Sequence, residues 1–213
     1  MSLDNDILSS FGGLERNSLL TIVEKVNDND IDDDDFDPLS SHNDNDMHAL
    51  QQSSYYNDAQ FDSALSKFAN NFSVLSLNIE SINTSFDELV LFVADRIIKN
   101  CKLSVICLQE CWLSDHSDIS QFKLPGYNIF VTPRSCGAKG GLVMFIDDKF
   151  SAKPVQCSLR YPETWEAQFL SLRFNDNSKP FIIGNVYRPP RCEFSDFQLD
   201  FGEVVSQIFI IND

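Results

Sequence analysis

Positive charge is almost missing from the first third of this 213-residue chain. Positions 1–70 hold three Lys or Arg (Arg16, Lys25, Lys67) against 15 Asp or Glu, while positions 71–213 hold 13 against 17. Three quarters of the net charge of −16 therefore falls on one third of the sequence. Segment 27–46 is the extreme case. Clustered like charge with few apolar residues cannot repay the entropy of folding, which excludes a packed core there and predicts disorder. Also missing are an apolar run of about 18 residues and a basic start followed by an apolar stretch. Their absence argues against a membrane span and a secretory leader. The expected location is intracellular, nuclear or cytoplasmic, with no membrane partner and no secretion. In that setting the sequons Asn71-Phe-Ser73 and Asn83-Thr-Ser85 carry no meaning.

The six cysteines (Cys101, Cys107, Cys111, Cys136, Cys157, Cys192) include no Cys-x-x-Cys pair. Cys107 and Cys111 are read as lacking the further His or Cys partners of a zinc site, so reduced thiols are expected, with Cys107 acting as a small hydrophobe. Histidine is scarce too. His42 and His48 lie in the acidic stretch, and His116 lies in an expected loop. Gly137-Ala-Lys-Gly-Gly141 lacks the Gly-Lys-Ser/Thr end of a P-loop and precedes a strand, so it reads as a hairpin turn. Trp112 and Trp165 read as packing residues. There is no internal repeat.

What is present is a regular pattern after residue 71. Residues 1–70 are expected to be an acidic, largely disordered tail, with a short helix over 14–26 and another carrying Phe61, Leu65 and Phe68. Residues 71–213 are expected to form a domain. Phe72–Ile79 reads as a strand. Thr84 is expected to cap a helix with Asp87 at capping-box distance, and Phe86, Leu89, Val90, Val93 and Ile97 follow helical spacing. The apolar run Leu103–Gln109 reads as a buried strand. Further strands are expected over 127–132, 142–146, 154–159, 167–174 and 181–187. A second helix is expected over 195–207, then a strand from Ile208 to Ile211. Strands joined first by a helix and then by short turns predict an α/β, mixed-sheet sandwich.

Two polar residues close buried strands: Asn78 after Val74–Leu77, and Glu110 after Val105–Gln109. In open α/β sheets ligands gather at strand carboxyl ends. A carboxylate and an amide on neighbouring strands suit Mg²⁺, an oxygen-seeking ion that polarises phosphodiesters and helps generate hydroxide. Position alone leaves the alternative open, since polar residues commonly end strands at the water boundary. Arg134, Lys139, Arg188 and Arg191 are candidate contacts to a nucleic acid backbone or ordinary surface charges.

Five segments then occur in order: Ser76-Leu-Asn-Ile79, Ile106-Cys-Leu-Gln-Glu-Cys-Trp-Leu113, Leu124-Pro-Gly-Tyr-Asn128, Gly140-Gly-Leu-Val-Met-Phe-Ile146 and Ile183-Gly-Asn-Val-Tyr-Arg-Pro-Pro190. This set resembles the apurinic-endonuclease-like domain of LINE-type (non-LTR) retrotransposons, within the endonuclease/exonuclease/phosphatase superfamily. The resemblance covers 72–213, and Tyr187-Arg-Pro-Pro190 is its most specific part. It implies a deoxyribonuclease I-like sandwich flanked by helices, Mg²⁺ (or Mn²⁺) as cofactor, and DNA as the parent protein's partner. It also implies Glu110 as the principal metal ligand, Asn78 as the amide beside the metal, Tyr187 near the scissile phosphate, and Arg188 as a nucleic-acid contact.

The family continues into a Gly-Asp-Phe-Asn element, and Ile211-Asn-Asp213 matches it in part: Asp213 is the element's Asp, and Asn212 replaces its Gly. The partner Asn, a later Asp and a Ser-Asp-His element have no counterpart in the 213 residues. The resemblance therefore implies an incomplete domain. An inactive, poorly soluble or partly folded chain is expected, its second helix lacking a partner layer. Two other readings stay open. One is a non-catalytic remnant that binds a basic partner through its acidic tail. The other, disfavoured by Tyr187-Arg-Pro-Pro190, is a phosphatase for small phosphorylated ligands.

Overall fold

The computed structural model describes residues 19–23, 61, 63, 66–67, 71–134, 139–155 and 164–212. The acidic segment 27–46 lies outside these, as do Leu65, Phe68, Cys136, Gly137, Cys157 and Asp213. Eight strands and two long helices are described: β1 (Leu19–Val23), β2 (Phe72–Asn78), α1 (Ile82–Ile98), β3 (Val105–Gln109), β4 (Tyr127–Thr132), β5 (Leu142–Asp147), β6 (Ser151–Pro154), β7 (Glu166–Arg173), β8 (Phe181–Tyr187) and α2 (Phe194–Asn212).

The strands form two sheets, one ordered β1-β2-β3-β5-β4 and the other β6-β7-β8. β2 and β3 run parallel, with Asn78 opposite Gln109, and every other pairing is antiparallel. The parallel pair follows from the helix between its strands, because a crossover must return the chain to the same edge. β3 and β5 are apolar at successive positions because both their faces are covered. Ile106, Leu108, Val143 and Phe145 pack with Leu89 and Val93 of α1. Val105, Cys107, Met144 and Ile146 face Leu170 and Leu172 of β7 across the inter-sheet core. On the far side of the second sheet, Val204 and Ile208 of α2 join Trp165, Ala167 and Phe169. The layers are thus α1, five strands, three strands and α2, the mixed-sheet α/β sandwich flanked by helices that the strand pattern implies.

Several expectations need correction. Leu19–Val23 is a strand rather than part of a helix. Its β-branched Thr, Ile and Val suit an extended chain, and it pairs antiparallel with β2 from Leu19↔Ser76 to Val23↔Phe72. α1 begins at Ile82, two residues before the expected cap, and Ser81 at its start makes no side-chain capping bond. Backbone bonds anchor that end instead, Ser81 N to Glu110 O at 2.8 Å and Ile82 N to Cys111 O at 3.1 Å. Thr84 turns its hydroxyl back to Ser81 O. β6 spans Ser151–Pro154, and most of the strand expected over 154–159 lies outside the described residues. The expected strand from Ile208 to Ile211 is helical, because the spacing Phe197, Phe201, Val204, Ile208 leads into residues with no Gly or Pro to end the helix.

α2 also does not lack a partner layer. Phe197 and Phe201 meet the buried Trp165 edge-on, with centroids 5.3 and 6.2 Å away. Phe194 and Leu199 remain exposed. The expected helix around Phe61 is represented by residues 61, 63, 66 and 67, and Phe61 packs against Phe92 of α1. Cys101, Cys107, Cys111 and Cys192 are buried free thiols, and burial pushes Cys107 up to about 12. Among the described residues no helix is long and apolar enough to cross a membrane.

Trp165→Ala tests the α2 layer. Removing the indole should cost about 3–5 kcal/mol in urea denaturation, the usual range for a buried Trp. A loss of under roughly 1 kcal/mol, the scale of an ordinary substitution, would show that α2 does not depend on this contact.

Candidate active site

The site forms where the carboxyl ends of β2 and β3 meet the carboxyl end of β8. Parallel register places Asn78 beside Gln109 and leaves Glu110 on the next residue, at the rim. β8 reaches the same point from the other sheet, ending at Tyr187. Asn78 Nδ2 donates to Glu110 Oε1 at 3.0 Å, and the Tyr187 hydroxyl donates to the same oxygen. Among the described residues none donates to Oε2. Asn78, Glu110 and Tyr187, read from the sequence as separate candidates, therefore form one cluster drawn from both sheets.

The backbone here is unusual. Glu80, Ser81, Glu110 and Trp112 all have positive φ, at 47°, 96°, 52° and 55°. L-residues adopt this region only where surrounding bonds impose it, and such residues gather at functional sites. The bonds are visible. The parallel ladder runs past the strand ends through Ile79 N to Gln109 O, Ser81 N to Glu110 O and Ile82 N to Cys111 O. On the opposite side Cys111 N donates to Gly141 O at 3.0 Å and Trp112 N to Gly140 O at 2.6 Å. The Glu110–Trp112 turn is thus clamped from two directions, which fixes the start of the Glu110 side chain.

Three contributors carried no sequence signal of their own. Gln109 and Asn185 form a buried bridge between the sheets. Gln109 Nε2 donates to Asn185 Oδ1 at 2.6 Å and to Ser76 Oγ at 3.1 Å, and Asn185 Nδ2 donates to the carbonyls of Leu108 and Val143. Glu166 is opposite Tyr187 in the β7–β8 register. Its Oε2 accepts from Gly141 N at 2.9 Å, while Arg134 Nε lies 3.4 Å from its Oε1, an ion pair without hydrogen-bond geometry. A Gln that follows an apolar run and a Glu that starts a strand look ordinary until the sheets are stacked.

Electrostatics follows from this crowding. Burial raises the Tyr187 phenol above its usual range, and its bond to Glu110 and the charges of Glu110 and Glu166 add to the effect. The phenol therefore keeps its proton at neutral pH. Burial likewise raises the Glu166 carboxyl, helped by the Glu110 charge and opposed by the Gly141 N–H and Arg134. Burial also raises the Cys111 thiol, one residue beyond Glu110.

The other candidates fall elsewhere. Arg188 follows Tyr187 and is exposed; its Nη1 donates to Cys192 O at 2.6 Å and its guanidinium lies over the Phe194 ring. His116 is exposed. β4 and β5 pair antiparallel from Tyr127↔Asp147 to Thr132↔Leu142, so the glycine-rich stretch connects a hairpin, as its sequence implies. Trp165 is core, and Trp112 is half-buried with Lys139 Nζ 5.0 Å from its ring centroid. Asp213 lies outside the described residues. Among those residues no group of three or more His, Cys, Asp or Glu is arranged to hold a metal. Glu110 is the carboxylate at this rim, with the Asn78 amide nitrogen turned toward it and the Asn78 oxygen on the Glu80 N–H. A single carboxylate with an amide beside it fits a Mg²⁺-like ion that keeps most of its waters.

No family model matches the sequence, and no curated protein sequence matches it. Among solved structures, the AP endonuclease LMAP of Leishmania major superposes with a TM-score of 0.50 at 14% identity, over 75% of this chain and 52% of that one. The human Nocturnin catalytic domain with bound sulfate aligns over 63% of this chain and 55% of its own, at 16% identity and a TM-score of 0.43. The chain thus spans about half the length of these structures. The likeness to the AP endonuclease shows a shared fold, the deoxyribonuclease I-like sandwich.

A double-mutant cycle of Gln109→Ala and Asn185→Ala tests the inter-sheet bridge. The coupling energy should be at least about 1 kcal/mol, within the range for residues sharing a buried network. Additivity to within roughly 0.3–0.5 kcal/mol, as for independent sites, would show that the two amides are not coupled.

Proposed function

We propose that this domain is a metal-dependent phosphodiesterase acting on DNA, an endonuclease of the LINE-type retrotransposon branch. One observation carries the reading: Glu110 Oε1 accepts from Asn78 on one strand end and Tyr187 on another, across two sheets. A carboxylate, an amide and a protonated phenol at one rim suit the metal- and phosphate-facing part of a phosphoryl site. The fold shared with an AP endonuclease supports the reading. The ordered sequence segments ending in Tyr187-Arg-Pro-Pro190 support the branch.

In this reading Glu110 is the ligand that would hold Mg²⁺ or Mn²⁺, with the Asn78 amide beside it. The ion, when bound, supplies Lewis-acid polarisation of a phosphodiester oxygen. Glu110 provides the anionic ligand, and its aim is set by the clamped turn. Asn78 holds the carboxylate in place by donating from Nδ2, while its Oδ1 faces the Glu80 N–H at 3.3 Å. Tyr187, kept protonated, is a donor for a phosphate oxygen as charge develops there. Arg188, exposed on the next residue, is the candidate contact to the DNA backbone that the sequence resemblance supports. These residues account for the metal- and phosphate-facing part of the chemistry. The Asn, Asp and His elements that the resemblance associates with the rest have no match among the 213 residues.

The test is Mn²⁺ binding to the 213-residue chain, followed by electron paramagnetic resonance. Wild type should take up Mn²⁺, and Glu110→Gln should weaken uptake by roughly tenfold or more, since Mn²⁺ prefers charged carboxylate oxygen. Equal affinity in the two proteins would remove Glu110 as a ligand and the proposed function with it.

A further inference from the structure

Glu166 belongs to no segment that identified the site, yet it is directly opposite Tyr187 and is mostly covered together with Arg134, whose side chain is 13% exposed against 11% for Glu166. Its carboxylate does not touch Glu110. It touches what holds Glu110. Oε2 accepts from Gly141 N at 2.9 Å. Gly141 O and Gly140 O then accept from Cys111 N and Trp112 N, the two amides that follow Glu110. Gly140 and Gly141 have φ of 112° and 86°, so this stretch relies on backbone that only glycine adopts easily. A methyl on Gly140 would overlap Glu166 Oε1 and Arg134 Cδ, so the carboxylate occupies the space left by the missing side chain. Arg134 closes the loop: its Nη1 donates to Lys139 O at 3.2 Å and its backbone N to Leu113 O at 3.4 Å.

We propose that Glu166 is a positioning residue for Glu110, acting from the second sheet through Gly141 to fix the left-handed turn 110–112. The inference rests on the reading of Glu110 as a metal ligand. Partners that orient a ligand from behind govern affinity nearly as strongly as the ligand itself. Here the second sheet contributes twice, with Tyr187 on the carboxylate and Glu166 on the backbone beneath it. A Gln at 166 keeps an oxygen acceptor for the Gly141 N–H, whereas an Ala does not.

The experiment compares wild type, Glu110→Gln, Glu166→Ala and Glu166→Gln, all as the 213-residue chain. Mn²⁺ affinity and hydrogen exchange of the Gly141 amide without metal are measured for each. Glu166→Ala should bind Mn²⁺ roughly tenfold or more weakly, with faster Gly141 exchange, and Glu166→Gln should restore both. Wild-type affinity and unchanged Gly141 protection in Glu166→Ala would overturn the proposal. So would a Glu166→Gln protein that fails to protect Gly141, an outcome readable even if Glu166→Ala does not fold. If Glu110→Gln alone leaves Mn²⁺ binding untouched, the metal-site reading fails, while the exchange data still judge the Glu166–Gly141 link.

Discussion

Two buried amides hold the sandwich together at the end where its chemistry gathers. Gln109 donates to Asn185 across the inter-sheet core, and Asn185 returns two bonds to the carbonyls of Leu108 and Val143. Without these bonds the Asn185 amide would be left unpaired in a nearly dry layer, each unsatisfied group costing roughly 1–3 kcal/mol. Apolar packing alone would let the sheets slide, because Val105, Cys107, Met144 and Ile146 present a surface without direction to Leu170 and Leu172. The amide bridge removes that freedom. It sets β8 against β3 so that Tyr187, two residues beyond Asn185, comes to rest on Glu110, one residue beyond Gln109.

The same register accounts for the strain at the rim. Continuing the β2–β3 ladder past the strand ends, while also bonding to Gly140 and Gly141, forces Glu110 and Trp112 into positive φ. The unfavourable backbone is sustained by bonds on both sides and by the buried core beneath it. The outcome is a carboxylate whose orientation is set before any ligand arrives. Preorganisation of this kind is what a binding site asks of the side chains that form it.

Much of this was legible in the sequence because it lies in periodicity and order. The apolar runs of β3 and β5 announce strands covered on both faces, and the helical stripe of α1 announces its buried side. Asn78, Glu110 and Tyr187 were legible as candidates through the segments around them. Gln109, Asn185 and Glu166 were not, since their roles exist only between sheets, and sequence spacing does not show which strands face each other. The short strand at Leu19–Val23 was hidden for a related reason: the open edge of β2 selects its conformation, against a local pattern that also fits a helix. The continuation of α2 past Ile208 was misread because β-branched residues there resemble a strand, although the helical stripe runs on.

The central claim is that Glu110 and Asn78, backed by Tyr187, form the seat of a divalent ion. An anomalous difference map from crystals of the chain grown with Mn²⁺ tests it most directly. The strongest peak should lie within about 2.5 Å of a Glu110 carboxylate oxygen, at oxygen-ligand distance. A well-ordered Glu110 with no peak beside it, at a metal concentration that fills some other site, would contradict it.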